Sequence, residues 1–196
     1  MISAVVLAAG RSQRMGQPKM ALPWGDTTVI GRVVQVLSQA GISDILVVTG
    51  GASEAVQAAL QDSVARLVHN PAYAAGEMLS SLQVGLAGLP EDCDAALVAL
   101  GDQPQIQVQV VAGLLARYRS SRAVLVVPSY QMRRGHPWIV GRSLWPEIQA
   151  LSPPQTLRDL LQANAGQIDY LAVDTDSILA DLDTPDDYQR AIDHRV

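Results

Sequence analysis

The sequence predicts an α/β fold, a mostly parallel sheet with helices on both sides, and two observations carry that prediction. Short apolar runs rich in β-branched residues recur along the 196 residues, without the apolar/polar alternation of a half-solvated sheet, so each reads as a strand covered on both faces. Helical patterns lie between the runs, and the order β-α-β-α-β with short connections calls for right-handed parallel crossovers.

The first run, Val5–Leu7, belongs to the apolar stretch Ile2–Ala9. Its Ala-Ala-Gly ending imitates a signal peptide, but no cation precedes it and Arg11 follows at once, so it reads as a buried strand. Helical patterns at about Val29–Gln39, Ser53–Leu60, Met78–Ala87 and Val108–Tyr118 lead in turn to strands at Ile45–Val48, Leu67–Val68, Ala95–Val98 and Val124–Val127. After Tyr130 the rhythm changes. Arg133–Pro137 reads as a turn into a further strand at Trp138–Val140, and Ser152-Pro153-Pro154 breaks the chain before a helix near Gln155–Leu161. Thr184-Pro185-Asp186-Asp187 offers a capping residue, a proline at the first helical position and acids in the first turn, for a last helix ending near Asp193. No repeat, low-complexity tract or linker interrupts the series, so residues 1–196 read as one domain.

Composition narrows the function classes. With 48% hydrophobic and 17% charged residues the chain can bury a sizeable core. Against 19 Asp+Glu stand 14 Lys+Arg, a net charge of -5, which excludes a broad basic face for nucleic acid. No apolar run approaches the roughly 20 residues that span a bilayer, so no membrane partner is expected. The single cysteine, Cys93, cannot form an intramolecular disulfide and fits a reducing, cytoplasmic location. Its neighbours Asp92 and Asp94 are negative, a poor setting for a reactive thiolate, so it is not read as a nucleophile.

The most informative segment runs from Leu7 to Lys19, directly after the first strand, where open α/β sheets place their ligands. Ala8, Ala9 and Gly10 let a ligand approach the backbone, whose N–H groups can form an anion-binding nest. A P-loop is excluded because five residues separate Gly10 from Gly16 and Lys19 lies three beyond Gly16. A dinucleotide fingerprint is excluded because Ala8 and Ser12 stand where its further glycine is needed. Arg11, Arg14 and Lys19 precede every acid in the chain, and Lys19 is its only lysine, so the loop is a cationic patch suited to phosphate. A solvated loop of the same composition is the competing reading. Further on, Asp102 follows the apolar run that ends at Leu100. It can cap the next helix or coordinate Mg²⁺, a hard cation that takes one or two protein carboxylates plus substrate phosphates. Asp181 and Asp183 flank Leu182, and alternation in an extended segment would turn both to one side, where one can meet Asp102 across the metal.

These residues carry a family resemblance. Leu7–Lys19 resembles the signature L-A-A-G-x-S-x-R-M-G-x-x-K of the molybdenum cofactor nucleotidyltransferases, the MobA/MocA-like group of the GT-A-like nucleotidyltransferase superfamily. Leu22-Pro23-Trp24-Gly25, Asn70-Pro71 with Gly76 and Ser80-Ser81-Leu82-x-x-Gly85-Leu86, and Leu100-Gly101-Asp102-Gln103-Pro104 continue it in order. Pro128-Ser129-Tyr130, Arg134-Gly135-His136-Pro137 and Asp181–Tyr188 complete it.

The resemblance implies a three-layer Rossmann-like (GT-A-like) nucleotide-diphospho-sugar transferase fold with a mostly parallel central sheet. It implies a Mg²⁺-dependent transfer of CMP from CTP to the phosphate of molybdopterin or its molybdenum-loaded form, with release of pyrophosphate. Leu7, Ala8, Ala9 and Gly10 are then expected at the base and phosphates, Arg14 and Lys19 at the triphosphate, Asn70 and Ser81 near the base or ribose, and Asp102 with Asp183 at the metal. Arg14, Lys19 and Asp102 form the expected catalytic set. A molybdoenzyme or its maturation factor is the expected protein partner. The alternatives are a guanylyltransferase, a nucleotidyltransferase with another phosphorylated acceptor, and a non-catalytic carrier of the cofactor. The carrier reading would be favoured by loss of Lys19 or Asp102, and both are present. In the family a glycine in place of Ala9 accompanies guanylyl transfer, and the Ala9 methyl group occupies space that a two-ring purine would need.

Overall fold

The apolar runs pair into one sheet. The computed structural model describes residues 1–74 and 78–194, so Gly76 lies outside the described residues. Ten strands are present, β1 (Ile2–Ala8), β2 (Pro23–Trp24), β3 (Thr27–Thr28), β4 (Ile45–Thr49), β5 (Arg66–His69), β6 (Ala95–Leu100), β7 (Leu125–Tyr130), β8 (Arg133–Arg134), β9 (Trp138–Gly141) and β10 (Ile168–Ala172). The helices are α1 (Val29–Gln39), α2 (Ser53–Ala59), α3 (Met78–Ala87), α4 (Val108–Ser121), α5 (Trp145–Ala150), α6 (Leu157–Ala163) and α7 (Pro185–Asp193).

The main sheet has the order β10-β7-β9-β6-β1-β4-β5, with β8 attached to β7, while β2 and β3 form a separate two-stranded hairpin. β1 lies parallel between β4 and β6, and β4–β5 and β7–β10 are parallel as well. The reversal comes at β9, antiparallel to β6 in the register Val98↔Trp138 and to β7 in the register Val126↔Ile139. The mostly parallel α/β sheet expected from the sequence is therefore present.

Alternation divides the buried side chains into two layers. Ala4, Val6, Ile45, Val47, Leu97 and Ile139 face α1 and α4, while Val5, Leu7, Leu46, Val48, Val98 and Val140 face the α3, α5 and α6 side. On the second side Gly85 brings α3 close to β1, since a Cβ there would collide with Val5 Cγ1 and stand 3.1 Å from Val48 Cγ2. Trp138 and Trp145 are core residues of this layer. A smaller cluster of Met15, Leu22, Trp24, Val29 and Leu182 ties the first loop to α7.

Several elements depart from expectation. Arg133–Arg134, read as part of a turn, pairs with β7 instead, and the turn is made by Gln131 and Met132 at φ 48 and 65. α6 begins two residues later than expected because Thr156 caps it, its Oγ1 accepting from the Asp159 N–H at 3.3 Å. The hairpin β2–β3, the short α5 and the edge strand β10 had no counterpart in the sequence reading. The final helix, α7, starts and stops as read. Among the described residues no helix is long and apolar enough to cross a membrane.

Candidate active site

β1 and β6 are neighbours that end on the same edge of the sheet, so the loops after Ala8 and Leu100 emerge side by side. The Gly101 N–H donates to the Leu7 carbonyl at 3.0 Å, which holds the two loops together. The first loop folds back through a turn in which the N–H groups of Met15 and Gly16 donate to the Ser12 carbonyl, both at 3.1 Å. Met15 anchors that turn in the small cluster under α7. Gly16 has φ +70, a left-handed conformation that glycine adopts without steric cost. The Lys19 N–H donates to Ser12 Oγ at 3.2 Å, so the turn delivers Lys19 to the sheet edge.

A cleft of about 370 Å³ opens there, lined by Leu7, Ala9, Gly10, Arg14, Lys19, Ser81, Asp102 and Asp183 among others. Lys19 Nζ lies 2.5 Å from Asp102 Oδ2 and 3.3 Å from Asp183 Oδ1. Arg14 closes the cluster with its Nη2 3.0 Å from Asp183 Oδ2. The competing reading of a solvated loop does not hold at Lys19, whose side chain is only 11% exposed and already paired. The segment carrying Asp183 is fixed by the Leu182 N–H, which donates to the Asp102 carbonyl at 3.2 Å. Gln103 Nε2 adds a bond to Asp181 Oδ1 at 2.8 Å. Both acids flanking Leu182 line the cleft, as alternation required, while Leu182 turns into the apolar cluster. Partial withdrawal from water raises the Asp181 carboxyl above the ordinary carboxylate range, with Asp102 and Asp183 adding repulsion.

Two expected contacts lie behind the cleft rather than on it. Ala8 packs into the core on the far side of β1, so it can offer the cleft only its backbone. Asn70 is fully buried, and its Nδ2 donates to Ser80 Oγ and Ser81 Oγ, both at 3.0 Å. It therefore positions the start of α3, from which Ser81 reaches the cleft. Sequence reasoning missed Tyr73, which also lines the cleft. The Tyr73 ring meets His69 edge to face at 5.9 Å, with the Arg11 guanidinium 5.7 Å from its centroid. An aromatic residue just after Asn70-Pro71 was the available signal. Met20 both packs in the core and lines the cleft. Burial pushes the His136 imidazole down to about 4 while Asp102 pulls the other way, so the ring is neutral at pH 7.

The donor set suits a divalent cation. Asp102 and Asp183 converge on a single positive charge, the Lys19 ammonium, so their oxygens already define a place for a cation. Among the described residues no cluster of three or more His, Cys, Asp or Glu ligands occurs, and Asp102 and Asp183 are the two carboxylates here that could hold a divalent ion.

The chain is similar to known proteins over nearly its whole length. The molybdenum cofactor cytidylyltransferase of Escherichia coli (strain K12) is 29% identical over 189 residues, covering 95% of this chain and 93% of the relative. The nicotine blue oxidoreductase of Paenarthrobacter nicotinovorans is 30% identical over 198 aligned positions, covering 97% and 96%. The crystal structure of Rv0371c from Mycobacterium tuberculosis H37Rv superimposes with a TM-score of 0.84 at 34% identity, covering 98% of this chain and 97% of that one. A second crystal structure of Rv0371c, in complex with manganese, has a TM-score of 0.80 at 31% identity and covers 99% of both chains. Residues 4–168 match the family described as the MobA-like NTP transferase domain. With that match spanning the sheet edge, the first loop and Asp102, the chain belongs to the MobA-like NTP transferase family and is a nucleotidyltransferase of that type.

Proposed function

We propose that this protein transfers CMP from CTP to the terminal phosphate of molybdopterin or its molybdenum-loaded form. The observation that carries the proposal is the convergence of Lys19, Arg14, Asp102 and Asp183 on one cleft beside the Gly10 loop. An acceptor phosphate oxygen attacks the α-phosphorus, the bond from that phosphorus to the β-phosphate bridging oxygen breaks, and pyrophosphate leaves with the electron pair. No protein nucleophile is needed, so positioning and charge stabilisation supply the catalysis.

In this reading Arg14 and Lys19 neutralise the triphosphate, and the backbone of Ala8, Ala9 and Gly10, with Leu7 beneath, lies against the base and phosphates. Ser81, held by Asn70, faces the ribose or base. Asp102 and Asp183 would hold the divalent ion, Mg²⁺ in the cell, which when bound supplies charge neutralisation on the triphosphate. The Rv0371c crystal structure in complex with manganese supports a divalent ion as the cofactor. The Lys19 ammonium, between the two carboxylates, would then turn to phosphate oxygens. Cytidylyl rather than guanylyl transfer rests on Ala9, whose methyl-bearing side chain lines the cleft. Residues 1–196 act as one domain in this reading, working in the cytoplasm and handing product to a molybdoenzyme or its maturation factor.

The test is pyrophosphate release with CTP, GTP, ATP and UTP, each with and without molybdopterin and Mg²⁺. CTP used at least about tenfold better than GTP in kcat/KM, about 1.4 kcal/mol of transition-state preference, is the expected result. Preference for GTP, or release with a different phosphorylated acceptor, would replace the cytidylyl assignment while keeping the transferase. The alignment with nicotine blue oxidoreductase supports a second reading, an oxidoreductase on the same scaffold. Oxidation of NADH or NADPH without pyrophosphate release would select it.

A further inference from the structure

The cleft has two chemically different parts. Arg14, Lys19, Asp102 and Asp183 are joined by ion pairs of 2.5 to 3.3 Å and make one end charged. Most of the remaining wall is apolar, with Leu7, Ala9, Met78, Leu100 and Tyr73 on it. Asp102 follows β6 and Tyr73 follows β5, three steps away in the order β6-β1-β4-β5, so the two strand ends lie about 14 Å apart at the usual spacing. A nucleoside triphosphate has the same division, with charge at one end and a flat ring at the other.

Tyr73 is fixed from three sides. Asn70 forms the turn that presents it, since the Ala72 N–H donates to Asn70 Oδ1 at 2.9 Å and the Tyr73 N–H to the Asn70 carbonyl at 3.3 Å. Behind the side chain, the missing Cβ atoms of Gly50 and Gly51 make the room. A Cβ at Gly50 would stand 2.7 Å from Tyr73 Cβ and 2.8 Å from its Cγ, and one at Gly51 would stand 3.1 Å from its Cε2. Arg11 supplies the third side. Its guanidinium is 5.7 Å from the ring centroid, within the range of a cation–π contact, and its Nη2 donates to the Ala74 carbonyl at 3.4 Å, one residue beyond Tyr73. Arg14 and Lys19 line the cleft, but Arg11 from the same loop does not. The sequence reading grouped all three in one phosphate-facing patch, whereas the Arg11 side chain is committed to the ring and its loop. An aromatic ring held at the wall of a cleft can stack a nucleobase, an interaction that every base offers through its π-face.

On the reading of this cleft as a nucleotide site, we propose that Tyr73 is the residue against which the base stacks. Arg11 is a positioning residue, which holds the Tyr73 ring and leaves the phosphates to Arg14 and Lys19.

The test is isothermal titration of the full chain with Mg²⁺ and no acceptor, comparing CTP with inorganic tripolyphosphate, which has the phosphates and no base. Tripolyphosphate is measured by its displacement of CTP, so both report on one cleft. Tyr73→Ala should weaken CTP at least about fivefold and tripolyphosphate less than about twofold. Tyr73→Phe keeps the ring and should stay within about twofold of the parent for both. Arg11→Ala should weaken CTP at least about threefold and again spare tripolyphosphate. Equal loss of both ligands in Arg11→Ala would make Arg11 a phosphate ligand, and in Tyr73→Ala would make Tyr73 a structural residue; either result overturns the proposal. So would CTP binding like the parent's in either alanine variant, a loss in Tyr73→Phe as large as in Tyr73→Ala, or failure of tripolyphosphate to displace CTP. If the parent prefers GTP, the cytidylyl assignment falls and the same comparison is run with GTP, so the two failures are told apart.

Discussion

Lys19 and Asp183, separated by 164 positions in the chain, stand 3.3 Å apart at the sheet edge, with Asp102 2.5 Å from the same ammonium group. Lys19 thus bridges two carboxylates that would otherwise repel each other, with Arg14 adding a second cation on Asp183 at 3.0 Å. This arrangement governs how the site responds to substitution.

Lys19→Ala is expected to lower turnover at least about tenfold, or roughly 1.4 kcal/mol. Because the pair is largely covered, the same change should cost on the order of 1–3 kcal/mol of stability in the metal-free protein, the usual penalty for orphaning part-buried charge. Millimolar manganese should raise the melting midpoint of the variant more than that of the parent. Equal shifts in a thermal scan would argue that Asp102 and Asp183 do not share a cation site.

Asp102→Asn keeps the shape and removes one charge. Metal-dependent pyrophosphate release should fall below detection, while Lys19 keeps Asp183 as a partner and stability drops by about 1 kcal/mol. Residual activity with a large stability loss would instead make Asp102 a structural residue of its loop.

Ala9→Gly removes the methyl group that lines the cleft. Steady-state kinetics with both nucleotides and one acceptor should show the CTP over GTP ratio narrowing, through gain with GTP rather than loss with CTP. A site built to hydrogen-bond one base discriminates by leaving amides unpaired with the other, so complete reversal is not expected from one methyl group.

Gly85→Ala should destabilise the protein by about 1–3 kcal/mol, because the added methyl group meets Val5 Cγ1 and neither α3 nor β1 can retreat from a close-packed layer. Chemical denaturation measures this directly. Since α3 also carries Ser81, KM for the nucleotide should rise.

Thr184→Ala removes the α7 cap and should cost about 1 kcal/mol. The Thr184 hydroxyl and N–H hold the Asp187 carboxyl below the usual carboxylate range. The native state therefore favours ionised Asp187, and this stabilisation is complete above about pH 4, the ordinary value, and is lost as pH falls through the depressed one. Melting midpoints of the parent and Asp187→Asn should differ at pH 7 and converge near about pH 2.

The strands β1, β4, β6 and β7 were legible because fully buried segments leave continuous apolar runs, whereas β5, read at Leu67–Val68 as covered on both faces, is an edge strand with Leu67 38% exposed. β10 was not legible, since Ile168, Asp169, Tyr170 and Leu171 form an edge strand whose Tyr170 is 41% exposed and whose Asp169 pairs with Arg117. Exposure on one side erased the apolar run. α5 is six residues long, too short for a periodic signal, and is held by burial of Trp145 and Ile148. In the cleft, alternation around Leu182 placed both acids on one side, but no local pattern shows that Lys19 is covered. That burial results from Asp102 and Asp183 arriving from elsewhere in the chain, which only the assembled sheet determines.

Residues 83 and 164 positions apart supply the partners of Lys19, so the charge cluster has no local precursor. Contacts of such long range form only after loop-closure entropy has been met by pairing of the strands. A partly folded chain can carry the glycine loop and its arginines, yet it lacks the convergence of Lys19, Asp102 and Asp183 on which the proposed transfer rests. Regained activity after dilution from denaturant should therefore track completion of the tertiary fold rather than the earlier return of helix, and incompletely folded chains should leave nucleotides intact.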